Sequence, residues 1–378
     1  MRVAVIPTIR DYPWGAPGQS LGSLAEALVE AGHNVLMFVA PIDRSIAKVA
    51  QLEEAGVRVV DLPGCRPRGG SPMGIVRRAF ARLTPNRERL RAEVLKFGAE
   101  HLFLSQGGTW CGLAPEYFDL LREFSDGFSL VCHLNRPEPP FGVEALAKAR
   151  WLMANARVVY FNSSWTHRLA EEQIARPIGG ALYFQYPLRF EFEAPLPWPA
   201  GEGAELAMVN RLDTYHKGID LALEAISRLR AEGIPARLSI YGSGPDEGYL
   251  RDLAAYWKIG DLVEFCGHRE DLENVWSKHE VLLLPSRFEG LGVSMIEAMG
   301  FGRPVIRTPY GGASEWIRDG ENGYLCPGAE ADLLLSTLRR AVAERSRWPG
   351  MGNAAHLSVK RSLDRSPGRV FLASLSAT

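Results

Sequence analysis

The sequence predicts an α/β protein built from two doubly wound domains. Its 378 residues are more than twice the roughly 150 that one domain usually takes. Short β-branched, apolar runs alternate with longer segments of helical spacing, and this alternation stops at a proline-bearing stretch near residue 190 and then restarts. Nearly continuous apolar strands are typical of a parallel sheet that is covered on both faces.

Composition narrows the classes of function. Hydrophobic residues make up 46% and charged residues 23% of the chain, which is globular usage and excludes a disordered or fibrous protein. The formal net charge of -1 provides no global field that would attract nucleic acid. No secretory signal opens the sequence, and no apolar stretch approaches the ~20 residues of a membrane span. We therefore expect a cytoplasmic protein that does not bind nucleic acid.

The cysteines argue against a metal centre. The chain has 5 cysteines without a CxxC pair or a compact ligand cluster. We expect reduced thiols, no bound metal and no resident cofactor. The cysteines are Cys65, Cys111, Cys132, Cys266 and Cys326.

The first half predicts a Rossmann-like domain over residues 1–190. Helical spacing of apolar residues predicts helices at 21–31 and 143–154. Because each crossover helix lies on a face of a parallel sheet, the domain should be doubly wound. Strands are predicted at 2–8, 34–40, 58–62, 101–105, 129–134, 158–162 and 181–186.

The second half predicts a similar domain over residues 204–355, after a linker at 190–203 that contains Pro195, Pro197 and Pro199. Its strands are predicted at 206–212, 237–241, 263–266, 281–285 and 304–308. Its helices are predicted at 218–232, 245–257, 272–279, 294–300 and 330–345. Since ligands of open parallel sheets bind at the carboxyl ends of the strands, the loops after these strands are where a site is expected.

A glycine-bearing loop follows the first strand. Gly15, Gly18 and Gln19 precede the predicted helix, so backbone N–H groups at its N-terminus could hold an anion or a sugar hydroxyl of an acceptor. A tight turn that merely needs glycine explains the pattern equally well. The glycines do not form GxGxxG, which counts against a nicotinamide oxidoreductase.

Two cations follow the first strand of the second half. Arg211 and Lys217 stand six positions apart on a strand-to-helix loop, and a guanidinium with an ammonium suits a diphosphate. A helix N-terminus repels Lys217, so a cation there makes more sense beside an anion; solvated surface charge is the alternative. Gly242 and Gly244 follow the next strand and allow close backbone approach, or form only a turn.

Two carboxylates in the segment 288–305 are the most informative feature. Glu289 is predicted in a loop after an apolar strand and Glu297 one turn inside the next helix. Carboxylates accept hydrogen bonds from vicinal diols, such as those of a ribose or a hexose. Glu297 has the apolar neighbours Ile296, Ala298 and Met299, so burial without a partner would be costly; a solvated helix charge is the alternative.

The segment EGLGVSMIEAMGFGRPV resembles the E-x7-E signature of retaining glycosyltransferases of family 4, which share the GT-B fold of two Rossmann-like domains. The resemblance is strong over residues 205–330 and looser over 1–190. Four further motifs stand in the family's order: Gly32-His33-Asn34-Val35, the Arg211 and Lys217 pair, Gly242-Ser243-Gly244-Pro245 and Gly311-Gly312-Ala313-Ser314-Glu315. The chain departs from the family pattern at Ala16-Pro17 and at Asn210.

The resemblance implies a retaining, metal-independent hexosyltransferase that moves a sugar from a nucleoside-diphosphate sugar, a UDP-sugar or a GDP-sugar, to an acceptor hydroxyl. The acceptor would be a saccharide, a lipid-linked glycan or a small molecule. Glu297 would bind the ribose, Glu289 the donor sugar, and Arg211 with Lys217 the leaving diphosphate. The donor site would also include the loop residues Gly290, Leu291, Gly292 and Val293, with the base near His268.

Two features of the first half complete the expectations. His133, at the end of a predicted strand, occupies the place where such enzymes put an active-site histidine near the donor sugar; a satisfied structural histidine is the alternative. Eight arginines lie between Arg66 and Arg91 with Glu88 as the one intervening acid. This patch suits peripheral contact with an anionic membrane or an acidic acceptor, or is a solvated helix face.

The C-terminal segment 356–378 carries apolar residues at helical intervals, broken at Pro367-Gly368. In the GT-B fold such a segment returns to the first domain, so we expect it to pack there. The functional alternatives are a sugar-nucleotide epimerase or a phosphorylase of the same fold, and a catalytically silent sugar-binding subunit. The sequence leaves the base, sugar, acceptor, linkage and oligomeric state open.

Overall fold

The computed structural model describes residues 1–9, 14–40, 46–64, 86–125, 127–133, 136–138, 142–201 and 203–375. The chain forms two compact units. The first consists of Met1–Pro187 with Asp364–Thr378, and the second is Leu188–Leu363. Elements are numbered below in chain order within these described residues.

The first unit contains a seven-stranded sheet in the order β3-β2-β1-β4-β5-β6-β7. All of its neighbouring strands are parallel. The strands are β1 (Arg2–Pro7), β2 (Asn34–Val39), β3 (Arg58–Asp61), β4 (His101–Gln106), β5 (Phe128–Cys132), β6 (Val159–Phe161) and β7 (Leu182–Tyr183).

The described helices of the first unit are α1 (Ala16–Glu30), α2 (Ala47–Glu54), α3 (Asn86–Phe97), α4 (Pro115–Glu123), α5 (Gly142–Asn155) and α6 (Ser164–Ile174). Short 3-10 turns lie at Cys111–Leu113 and Pro367–Ser374. Helix α1 begins five residues before the predicted start, because Pro17 fits its first turn and the Trp14 ring packs against the helix at Gly18 and Gly22.

The second unit contains a six-stranded parallel sheet in the order β10-β9-β8-β11-β12-β13. Its strands are β8 (Ala204–Val209), β9 (Ala236–Tyr241), β10 (Val263–Gly267), β11 (Val281–Leu284), β12 (Val305–Arg307) and β13 (Gly323–Leu325). Each predicted strand of both halves is present, whereas β13 was missed because three residues are too few to form a pattern.

The described helices of the second unit are α7 (Thr214–Lys217), α8 (Ile219–Ala231), α9 (Glu247–Tyr256), α10 (Leu272–Trp276), α11 (Val293–Gly300), α12 (Ala313–Trp316), α13 (Ala331–Ala343) and α14 (Trp348–Ser362). A 3-10 turn at Arg345–Arg347 joins the last two. The central strands are fully buried, as β11 illustrates, and a leucine-rich face of α8 and α13 covers them.

Strand order reverses beside β8, which lies between β9 and β11. In open parallel sheets such a switch point leaves a crevice at the carboxyl ends of the two central strands. The loops after β8 and β11 therefore meet there, and they are the loops that carry Arg211, Lys217 and Glu289.

The segment predicted as a linker, 190–203, belongs to the second unit. Phe190 and Phe192 pack against Phe301 with ring centroids 5.4 and 5.0 Å apart. The buried Arg303 donates to the carbonyls of Leu196 and Pro197 at 3.2 and 2.7 Å. Because of these apolar contacts and hydrogen bonds, the proline-bearing segment packs on the second unit and is not an unattached linker.

The return to the first unit begins at Asp364, not at residue 356. Helix α14 continues to Ser362 in the second unit, and the chain then becomes extended at Leu363. Phe371 packs against Tyr160 at a centroid distance of 4.9 Å, and the Tyr160 hydroxyl donates to its carbonyl at 3.1 Å. The predicted packing on the first unit therefore holds for residues 364–375 only.

Within the described chain, no helix combines the length and the apolar character that crossing a bilayer requires. Four of the cysteines, Cys111, Cys132, Cys266 and Cys326, are free thiols, and the fifth, Cys65, lies outside the described residues.

Candidate functional site

The loop after β8 and the short helix α7 that follows it carry the cations Arg211 and Lys217. Arg211 donates to Asp213, and Asp213 also caps α7 by accepting from the His216 N–H at 3.1 Å. Gly218 follows α7 with φ +63°, and a Cβ there would lie 2.1 Å from the Pro285 carbonyl oxygen. Only glycine permits this approach, which brings the end of α7 against the loop after β11.

Lys217 and Glu289 meet at this point. The Lys217 Nζ donates to Glu289 Oε2 at 2.6 Å, and the two side chains are 15% and 12% exposed. Ser286 Oγ donates to the same oxygen at 3.3 Å. Burial alone would raise the pKa of Glu289, but the charges of Lys217, His216 and Arg307 outweigh it and lower this pKa to about 2. Glu289 is therefore ionised at neutral pH.

The glycines after β9 serve the Arg211 loop. A Cβ on Gly242 would lie 1.8 Å from the Asn210 carbonyl oxygen, and one on Gly244 would lie 2.3 Å from that of Leu212. Leu212 N–H donates to the Ser243 carbonyl at 3.1 Å. Both glycines thus allow two backbones to pack directly, and this contact fixes the position of Arg211.

The loop 289–292 lies against the loop 308–312. Gly312 N–H donates to the Gly290 carbonyl at 3.0 Å, and a Cβ on Gly311 would lie 1.7 Å from the same oxygen. Gly292 has φ +77° and caps α11, so that Val293 begins the helix. The segment Gly290, Leu291, Gly292 and Val293 therefore leads to a helix N-terminus at the switch point.

Glu297 lies in α11 and is 8% exposed. Within the described part of the chain its carboxyl forms no hydrogen bond or ion pair. Burial raises its pKa to about 7, with a smaller opposing effect from Arg189. Burying a carboxyl without a hydrogen-bond partner costs free energy. Among the acidic side chains of this site, Glu297 is therefore the one for which a bound hydroxyl would remove the largest such cost.

Two side chains of the site, the partly buried His216 and the buried Arg307, were not predicted from the sequence. His216 stacks on Phe288 with centroids 4.4 Å apart, and its Nε2 has no hydrogen-bond partner. Burial, followed by the charge of Lys217, lowers its pKa to about 4. Arg307, the last residue of β12, is 1% exposed and lies beneath the loop 289–292. Position at the end of a strand was the one signal that could have pointed to Arg307.

His268 lies directly after β10 and is exposed. The side chains of Asn210 and Thr214 join His216 in having buried polar atoms without a hydrogen-bond partner. Each of these atoms needs a partner from outside the described protein, such as water or a ligand. The structure thus places Arg211, Lys217, Glu289 and Glu297 in one unit, on the loops after β8 and β11 and on the helices α7 and α11 that follow them.

His133 directly follows β5 and is held by two hydroxyls of the first unit. It is 2% exposed, its Nδ1 lies 2.9 Å from the Tyr186 hydroxyl, and its Nε2 lies 2.9 Å from Ser105 Oγ. Burial lowers its pKa to about 3. Both ring nitrogens thus have hydroxyl partners in the described chain, which is what the structural alternative expects, and the role near the donor sugar stays a prediction.

The predicted acceptor loop is mostly helical. Gly15 is the N-cap of α1 without a side-chain cap, whereas Gly18 and Gln19 lie inside its first turns. The backbone N–H groups of this N-terminus remain the part that could bind an anion. Residues 10–13 lie outside the described residues.

The arginine patch is described only in part, because residues 65–85 lie outside the described residues. Arg87 and Arg91 lie on α3 and form ion pairs with Asp119 and Glu123 of α4, at 2.9 and 2.7 Å. These two arginines therefore belong to an ion-paired helix surface.

In the described ranges, no group of three histidine, cysteine or acidic side chains could hold a metal ion. What the switch point offers is chemistry for an anion and for hydroxyls. Lys217 and Arg211 carry positive charge, helix α11 has N–H groups at its N-terminus that lack a partner within the helix, and the carboxylates of Glu289 and Glu297 are able to accept hydrogen bonds from hydroxyls.

Two doubly wound parallel sheets, with ligand-binding side chains on loops at the strand ends, define the GT-B fold. HepE of Anabaena in complex with UDP-glucose has the same fold, with a TM-score of 0.71, 16% identity and 100% coverage of each chain. TarM of S. aureus, in complex with fondaparinux, alpha-GlcNAc-glycerol and UDP, gives a TM-score of 0.72 at 12% identity, again over 100% of each chain.

Residues 203–344 of the chain match the family model of the glycosyl transferases group 1. The GtfA subunit of the UDP-N-acetylglucosamine–peptide N-acetylglucosaminyltransferase of Streptococcus pneumoniae is 35% identical over 131 residues. This match covers 34% of the present chain and 25% of GtfA. The chain thus spans about a quarter to a third of the length of the first curated relatives that it matches.

Proposed function

We propose that the protein is a glycosyltransferase that moves a sugar from a UDP-sugar to an acceptor hydroxyl. The observation that carries the proposal is the Lys217–Glu289 pair, which lies beside Arg211 at the switch point of the second sheet. The UDP ligands of the HepE and TarM structures support uracil as the base. Retention of the anomeric configuration follows from the family resemblance.

The charges of the site suit a diphosphate leaving group. Breaking the anomeric C–O bond leaves negative charge on the diphosphate, which fixed cations stabilise in a site that excludes water. Lys217 would transfer its hydrogen bond from Glu289 to a phosphate oxygen, and Arg211 would pair with the same diphosphate. Glu289, released by Lys217, would then accept a hydroxyl of the donor sugar.

The remaining side chains would hold the nucleoside and the acceptor. Glu297 would accept hydrogen bonds from the ribose diol, which would supply the partner that its buried carboxyl lacks. The base would lie near His268, beyond β10. The first unit would bind the acceptor, a saccharide, lipid-linked or small-molecule hydroxyl, near the N-terminus of α1.

Thermal unfolding with nucleotides tests the proposal. We expect UDP to stabilise the wild type more than GDP, ADP, dTDP or NAD does, with and without magnesium. A ligand at about 100 times its Kd adds roughly 2.7 kcal/mol, which is a shift of several degrees. Lys217→Ala should lose this shift. Arg339→Ala is the matched control, because Arg339 forms an exposed pair with Glu232 at the other end of α8.

Turnover separates the alternatives. Release of UDP from a UDP-sugar only when an acceptor is present supports transfer. Donor consumption without an acceptor would indicate an epimerase, and a requirement for inorganic phosphate would indicate a phosphorylase. A UDP response with no turnover of any UDP-sugar would indicate the silent sugar-binding subunit, and a response to NAD alone would overturn the proposal.

A further inference from the structure

Arg307 makes an unusual set of contacts for a buried guanidinium. Its Nη1 donates to the Leu291 carbonyl at 3.0 Å and contacts the Met295 sulfur at 3.1 Å. Its Nη2 donates to the Tyr310 carbonyl at 2.6 Å, and its Nε donates to the Thr308 carbonyl at 3.3 Å. Three of these contacts are hydrogen bonds to carbonyls of two loops, 289–292 and 308–312, and the fourth is to Met295 in α11.

The glycines of the two loops fit around this guanidinium. A Cβ on Gly292 would lie 2.9 Å from Arg307 Nη1, so the loop passes directly over the side chain. The two loops also contact each other through Gly290 and Gly311. Arg307 thus fills the space beneath the backbone that leads to α11, and it holds that backbone by its carbonyls.

The charge of Arg307 has no direct counter-ion. It forms no ion pair with a described residue, and the carboxylate that it influences, Glu289, is already paired with Lys217. Burial lowers the pKa of Arg307 to about 10, so it stays charged at neutral pH. The cluster of Arg307, Lys217 and Glu289 therefore carries one excess positive charge before any ligand binds.

We propose that Arg307 is a positioning residue of the donor site, which fixes the loop 289–292 through its carbonyl hydrogen bonds and adds a buried positive charge that favours a diphosphate. A guanidinium spreads five N–H donors over three nitrogens in a fixed plane and so reaches carbonyls of both loops, whereas an ammonium has three donors on a single nitrogen. The part that concerns the diphosphate rests on the proposed function, whereas the fixing of the loop does not.

Arg303 is a matched control for Arg307. It lies four positions earlier, is 0% exposed, and donates to the carbonyls of Trp276, His279 and Pro197 at 2.8, 2.9 and 2.7 Å. Burial lowers its pKa to about 10 as well. It makes no hydrogen bond to the loop 289–292. Its replacement therefore removes an equally buried guanidinium of the same unit from a different place.

Hydrogen exchange of the ligand-free protein tests the fixing of the loop. We compare the wild type with Arg307→Lys, Arg307→Met and Arg303→Met, and follow the amides of residues 290–293 and 311–313. Loss of one or two hydrogen bonds to the loop should speed exchange about tenfold in both Arg307 variants. The inference is overturned if their exchange matches that of the wild type, or if Arg303→Met produces the same increase.

The ratio of the UMP and UDP dissociation constants tests the charge. Arg307→Met should lower the preference for UDP over UMP about tenfold, whereas Arg307→Lys, which keeps the charge, should retain it. If Arg307 acts only on the structure of the loop, the affinities for UMP and UDP should fall by the same factor in both variants. That result would overturn the proposal that the charge of Arg307 favours a diphosphate. If the wild type binds no UDP, the proposed function fails, while the exchange rates still decide whether Arg307 positions the loop.

Discussion

The ammonium of Lys217 donates to the carboxylate of Glu289 at 2.6 Å, although the two residues are 72 positions apart in the chain. Without a ligand, the predicted diphosphate cation and the predicted donor-sugar carboxylate thus neutralise each other. Under the proposed function, the donor would replace this contact with two new ones, from Lys217 to the diphosphate and from a sugar hydroxyl to Glu289.

Replacing one partner of this pair should destabilise the protein more than replacing both. Lys217→Met leaves Glu289 buried beside too little positive charge, and breaking a buried pair costs about 3–5 kcal/mol. Lys217→Met with Glu289→Gln should regain most of the free energy of unfolding. Denaturant unfolding of the two variants measures this, and equal stability of the single and the double variant would contradict it. UDP binding should be lost in both.

Nucleotide affinity should rise with pH through the pKa of Glu297, about 7. The ribose diol needs the ionised carboxylate, so UDP should bind about tenfold more tightly at pH 8 than at pH 6. The free energy of unfolding should change with pH in the opposite direction. Because burial raises this pKa from 4.5, the folded protein loses stability as pH rises from 4.5 through 7.

Glu297→Gln is the variant that tests both consequences. It should flatten the dependence of UDP affinity on pH and raise the unfolding temperature of the ligand-free protein at pH 8. Calorimetric titration at several pH values measures the first, and thermal unfolding measures the second. A wild-type affinity that does not change between pH 6 and 8 would exclude Glu297 from the binding of the ribose.

Gly244→Ala should disturb the Arg211 loop, whereas Gly248→Ala should not. A Cβ on Gly244 would meet the Leu212 backbone at 2.3 Å, while one on Gly248, in α9, has nothing within 4 Å. We expect Gly244→Ala to lower the free energy of unfolding by at least about 2 kcal/mol and to weaken UDP binding. Gly248→Ala should add up to about 1 kcal/mol. Thermal unfolding with and without UDP distinguishes the two variants, and similar behaviour would show that the glycine packing is unimportant.

His133→Phe should affect stability and its pH dependence more than catalysis. The variant leaves the hydroxyls of Tyr186 and Ser105 without their partner, at about 1–3 kcal/mol each. Burial lowers the pKa of His133 to about 3, below 6.5, so its contribution to stability is lost as pH falls from 6.5 towards 3. The variant should lack this loss, at about 1.4 kcal/mol per pH unit.

Chemical denaturation between pH 4.5 and 7 gives this slope, and donor turnover per folded molecule gives the catalytic effect. If the variant keeps the wild-type dependence of stability on pH, or if it is fully folded but inactive, the result would support the positioning role predicted for His133.

Most of the fold could be predicted because it depends on periodicity. Strands such as β4, β5 and β11 are continuous, fully buried runs, and the switch-point rule then identifies which loops carry Arg211, Lys217 and Glu289. Short elements such as α7, α12 and β13 were missed, since three or four residues do not establish a period.

The parts of the site that were missed depend on tertiary contacts. The sequence shows Arg307 and His216 as polar residues after strands, but only the packed loops show that one lies beneath Gly292 and the other against Phe288. The partners of His133 could not be predicted for the same reason, because Tyr186 and Ser105, which contact its nitrogens, come from distant positions. A pattern gives position along the chain, whereas hydrogen-bond satisfaction is decided in space.

The docking of Phe371 has a consequence for the order in which the units can form. Phe371 completes an aromatic group with Phe103, Tyr160 and Phe184, yet it is synthesised after every residue of the second unit. On the ribosome, the second unit can close its core while the first still exposes these three rings. The first unit is therefore synthesised first but completes its fold last. An isolated fragment of residues 1–187 should expose an apolar surface that Phe371 covers in the full chain.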